Sequence, residues 1–98
     1  MKIFKINPQT GFNEICEIIR PSDEGRNLMK KKSAINFFLI KDLRSPAANI
    51  LKQDALSVGA ELVTNRDVIL DGENSTALLM ATDAQVGALA KKEAAQDF

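Results

Sequence analysis

The stretch Ala47 to Asp67, AANILKQDALSVGAELVTNRD, constrains the fold more than any other part of the chain. Pro46 suits the first helical position, where its missing N–H costs nothing, and Ser45 before it is a good N-cap. Ala47, Ile50, Leu51, Ala55 and Val58 then form an apolar helical stripe, and Gly59 supplies the left-handed residue that stops the helix. A short strand, Glu61 to Thr64, follows directly. Upstream, Ala34 to Lys41 reads AINFFLIK, apolar on both faces, as expected of a central strand covered from both sides. Strand, helix and strand in that order require a sheet with a helical layer on it.

The same rules assign the remainder. KIFKI, from Lys2 to Ile6, alternates and predicts a first strand that Asn7-Pro8 breaks. Phe12, Ile15, Cys16 and Ile19 have the spacing of an amphipathic helix, which Pro21 ends or kinks. Ser22 caps a weaker helix reaching Lys31, anchored by Leu28 and Met29, in which Gly25 costs about 1 kcal/mol relative to alanine. Val68 to Leu70 resumes strand character, Asp71 to Asn74 is a turn, and Thr76 to Ala81 reads as another central strand. Thr82 or Asp83 caps a last helix that buries Val86, Leu89 and Ala90. The expected architecture is one α+β domain over residues 1–98, or an α/β two-layer sandwich. Its sheet is mixed, with about four or five strands and three or four helices.

Composition excludes several kinds of function. With no His, the chain lacks the commonest general base and transition-metal ligand, and a Ser-His-Asp arrangement is impossible. Its single cysteine, Cys16, cannot close an internal disulfide or a Cys-rich zinc site. Its place beside Phe12, Ile15 and Ile19 predicts a buried thiol and fits a reducing, cytoplasmic location. The scattered glycines form no phosphate-binding loop, so no cofactor, metal or catalytic residue is expected. No run approaches the roughly 20 apolar residues of a membrane span, and the first residues do not make a secretory signal. Net charge is zero but divided: residues 1–49 carry nine Lys/Arg against five Asp/Glu, or +4, and residues 50–98 carry four against eight, or −4. Neutrality and the lack of surface aromatics argue against nucleic acid, and the Lys30-Lys31-Lys32 run reads as a solvated helix end in preference to a phosphate-binding patch.

Few residues offer a binding surface. Asn49, Lys52 and Gln53 stand at i, i+3 and i+4 and make a polar row on the third helix. Either it is a solvated face, or it joins Arg66 and Asp67, after the next strand, in a contact surface where Arg66 suits a carboxylate or phosphate. Asp54, between Gln53 and Ala55, is expected to face solvent.

Three segments carry a family resemblance: SDEGRNLMKKK, SPAANILKQDALSVGAELVTNRDVI and LLMATDAQVGALAKK. Together they resemble the N-terminal extension of a subset of bacterial dihydropteroate synthases, where segments like SDxxGxxIM with lysines, PAANILKQE and LLMGT follow in this order. The sequence departs from that pattern by one residue fewer before Gly25, by Ala81 in place of glycine, and by Asp97 where the family has proline in QPFG. The resemblance implies a non-catalytic N-terminal domain of a synthase-like protein in folate biosynthesis. Its parent would condense pterin pyrophosphate with p-aminobenzoate. The pterin- and sulfonamide-site motifs lie in the catalytic barrel and have no counterpart in these residues, so no catalytic residue carries over. The partners it implies are that barrel, or a second copy of the chain. The competing reading is a small stand-alone metabolite-binding or regulatory module. Self-association is also expected on physical grounds: if the weak helix from Ser22 leaves the sheet uncovered, an apolar strand face stays bare.

Overall fold

A computed structural model describes residues 1–7, 10–65 and 75–94. Its elements run α1 (Phe12–Ile19), α2 (Asp23–Lys30), β1 (Ile35–Leu43), α3 (Ser45–Ser57), β2 (Glu61–Val63), β3 (Ser75–Thr82) and α4 (Asp83–Ala94). The sheet order is β1-β3-β2, and β3 is antiparallel to both neighbours. The class is therefore α+β. Among the described residues the sheet is three-stranded and antiparallel rather than mixed. β1 and β2 do run parallel to one another, joined by α3, but β3 is inserted between them.

The difference in strand number has two sources. Lys2–Ile6 forms no strand, and Ile3, Phe4 and Ile6 stay exposed. Alternation makes a segment strand-prone, yet a strand exists only where a neighbour completes its hydrogen bonds. The predicted strand at Val68 to Leu70 and the turn after it lie outside the described residues.

α3 and α4 make the single helical layer, with α3 on β2, α4 on β3 and the two helices against each other. Between that layer and the sheet lie Ala55, Ala60, Leu62, Ala77, Leu79, Ala81 and Leu89, with Ile40, Leu43, Leu51, Val58 and Val86 packed around them. Alanines on facing elements allow a close approach of helix to sheet, at the cost of a thin core. α3 starts one residue earlier than its punctuation suggests: Ser45 is the first helical residue, and Arg44 is an N-cap with no side-chain bond. Its buried face is Ala48, Leu51 and Ala55 rather than the stripe through Ile50, which turns outward.

Two contacts lock the helical layer to the strand ends. Thr82 Oγ1 accepts from the Gln85 N–H at 3.2 Å, and Gln85 Oε1 accepts from the Thr82 N–H at 2.9 Å, a reciprocal capping box for α4. Gln85 Nε2 also donates to the Gly59 carbonyl at 2.9 Å. Gly59 has φ +83°, and a Cβ there would stand 3.3 Å from that amide nitrogen, so both backbone and space call for glycine.

α1 and α2 form a separate helical arm. Cys16 is buried at its centre, as its apolar setting predicts, in a small cleft with Phe12, Ile19, Pro21 and Met29. Arg26 ties the helices together, donating to Asn13 Oδ1 at 3.2 Å and standing 3.6 Å from Glu17. Ser22 caps α2 by accepting from the Gly25 N–H at 3.0 Å. A Cβ on residue 25 would lie 3.0 Å from that hydroxyl, so the glycine that weakens the helix leaves room for its cap. The arm meets the core where the Ala84 N–H donates to the Lys31 carbonyl. It does not cover the sheet.

Candidate functional site

The polar row is present in part. Lys52 and Gln53 are exposed on α3 and Asn49 is half-buried beside them. Arg66 and Asp67, the other half of that surface, lie outside the described residues.

Asp54 departs from expectation. It turns toward α4, where it meets Glu93, a residue the sequence gives no reason to single out. Asp54 Oδ2 and Glu93 Oε1 are both shut off from water and make no hydrogen bond among the described residues while both groups are charged. Two carboxylates offer only acceptors, so a bond between them needs a proton. Burial, then the hydrogen bond to Asp54, then its negative charge, all push the Glu93 pKa up. The apolar neighbours Leu43, Ala47 and Leu51 complete this corner. A shared-proton pair can act as a general acid or base, but only with substrate-binding groups around it, and this corner is aliphatic. No group of three or more His, Cys, Asp or Glu suited to a metal occurs among the described residues.

A cleft of about 410 Å³ lies between Lys32, Val58, Thr82, Gln85 and Ala88. Two of its polar side chains are already engaged, since Gln85 and Thr82 form the α4 cap and Gln85 holds Gly59. Asn36, the one polar residue in the apolar run of β1, behaves likewise. Its Nδ2 donates to the Ala81 carbonyl at 3.1 Å and to Asp83 Oδ1 at 2.8 Å, fastening β1 to the start of α4. A lone polar residue in a strand suggests the solvent side; here it marks the helix-covered side.

What the fold leaves available is the other face of the sheet. Strand alternation sends Phe38, Leu79 and Leu62 toward the helices and Ile35, Phe37, Leu39, Leu78, Met80 and Val63 away from them. The register places these outward residues side by side: Phe37 opposite Met80, Leu39 opposite Leu78, and Val63 opposite Leu78 on the other side. Phe37 is 68%, Leu39 65% and Ile35 64% exposed. Among the described residues β1 is thus an edge strand covered on one face only, not the doubly covered central strand its composition suggests, and β3 holds the centre. The one charged side chain in the rows opposite β3 is Glu61, at the β2 edge. The whole molecule exposes 7774 Å², against about 5,500 Å² expected for a compact monomer of this mass. Its radius of gyration, 17.1 Å, likewise exceeds the roughly 13 Å of a compact 98-residue domain. No helix among the described residues is long and apolar enough to cross a membrane. No protein-family model, curated protein or solved structure matches this chain.

Proposed function

We propose that this chain is a non-catalytic association domain, and that its working surface is the uncovered apolar face of the β1-β3-β2 sheet. The observation that carries this reading is the row Ile35, Phe37 and Leu39, large side chains presented outward while the interior is filled mainly by alanine. Monomeric proteins seldom leave such a patch without a use. The setting we propose is a dihydropteroate synthase-like protein of the cytoplasm, in which a catalytic barrel performs the condensation and this domain serves assembly. Support for that setting comes from the segments SPAANILKQDALSVGAELVTNRDVI and LLMATDAQVGALAKK. Calorimetric titration of the domain with pterin pyrophosphate and with p-aminobenzoate tests the non-catalytic assignment. No heat of binding is expected for either compound; micromolar affinity for one of them would overturn it.

A further inference from the structure

We infer that the uncovered sheet face is a two-fold interface between copies of this chain, with β1 crossing its own copy at Phe37. This names the partner of the association surface proposed above and rests on that reading.

The first argument is area. Ile35, Phe37, Leu39 and Val63 are each at least half exposed, with Leu78 and Met80 half-buried between them. Together they present roughly 500 Å² of apolar surface on one copy. Two copies closing on one another would remove about 1,000 Å² in total, which reaches the lower bound for a specific interface.

The second argument is self-complementarity. A two-fold contact must match a surface to itself. The outward row of β1 reads aliphatic, aromatic, aliphatic, and it is centred on Phe37. An axis across the strand at that point sets Phe37 against its equivalent and Ile35 against the partner's Leu39, similar volumes meeting at each position. Leu78 and Met80 flank the crossing through their register with Leu39 and Phe37. Glu61, opposite Met80 on the far strand, lies in the same row as Phe37 but at the rim, where water screens it from its equivalent. An apolar centre with an aromatic anchor and a polar rim is the usual anatomy of such a contact.

Sedimentation equilibrium of the 98-residue chain, from about 1 µM to about 200 µM, tests the proposal. The chain should convert from monomer to dimer across that range. Phe37→Lys should weaken association at least ~10-fold, since two cations without counter-charges would then face each other at the dry centre. Leu56→Lys, on the outer side of α3, should leave it unchanged. Far-UV circular dichroism confirms that each variant is folded, and Leu39→Ser replaces Phe37→Lys if the latter is not. A wild-type chain that stays monomeric to ~200 µM overturns the dimer. So does a dimer indifferent to both β1 substitutions, which would place the contact on the strand edge or the arm. In the monomeric case, binding of the dye ANS that falls in Phe37→Lys retains the association reading with another partner. Absence of that binding removes both.

Discussion

The two halves of this molecule use hydrophobic residues in opposite ways. From α3 to α4, small side chains are buried, with Ala55, Ala60, Ala77 and Ala81 at the centre of the core. From the N-terminus through β1, large side chains are displayed: Ile3, Phe4, Ile18, Ile19, Phe37 and Leu39 are all well exposed. Hydrophobicity alone therefore does not place a residue inside. Burial needs a second surface, which the C-terminal half supplies for its core and the N-terminal arm supplies only around Cys16. The first half has apolar material without a covering layer, so its stability is tied to whatever meets it.

The sharpest way to break that contrast is to truncate one residue on each face of the same sheet. Leu79→Ala, in the core on β3, should lower the urea-unfolding free energy by about 2–4 kcal/mol. Phe37→Ala, on the uncovered face, should cost less than about 1 kcal/mol at protein concentrations low enough to keep the chain monomeric. Equal losses would mean that the outward face is packed in solution and the comparison is wrong.

Helix caps sharpen it further, because the two halves carry caps of similar chemistry. Thr82→Ala removes the hydroxyl from the α4 capping box and should reduce global stability by about 1 kcal/mol. Ser22→Ala removes the corresponding cap from α2. Because the arm packs little against the core, its loss should appear as faster amide exchange within α1 and α2, with the global midpoint scarcely moved.

The smallest expected effect lies between α3 and α4. The Glu93 pKa is raised in the folded chain, so folding favours its protonated form. The associated stability is present at acid pH, below the ordinary glutamate range, and is lost as pH rises through the elevated folded value. Above that value the charged Glu93 carboxylate, desolvated in the α3–α4 corner, opposes folding. Glu93→Gln should therefore raise the melting temperature slightly at pH 7, and the gain should disappear as the buffer is made acidic. A melting temperature lowered equally at all pH values would show that Glu93 serves packing rather than charge.

Local punctuation made much of this fold legible. Ser22, Pro46, Gly59 and Thr82 mark breaks that the structure honours within a residue, because caps and left-handed stops depend on neighbours in sequence. Position in the sheet was not legible. INFFLI reads as a doubly covered strand because composition records what a strand can bury, whereas its edge position follows from β3 taking the centre. KIFKI fails for the same reason: alternation was present and a pairing neighbour was not. The Asp54–Glu93 contact depends on how α3 and α4 are rotated against each other, which no local pattern encodes. Ile35, Phe37 and Leu39 were visible as apolar residues, but their use as a surface appears only once the helices are seen to lie on one side.

The insertion of β3 between β1 and β2 also bears on how the chain is made. Of the three described strands the central one is the last to be synthesised, and Asn36 and its partner Ala81 are 45 residues apart. Among the described residues, neither β1 nor β2 has a strand to pair with until β3 emerges. At usual translation rates the interval from Val63 to Thr82 lasts about 1–4 s. During that interval INFFLI is an apolar segment with both of its backbone edges open, the kind of segment that invites chaperone capture or misassembly on crowded polysomes. Pairing of such distant segments is slow for topological reasons, so the order of strands sets a window of vulnerability in every round of synthesis.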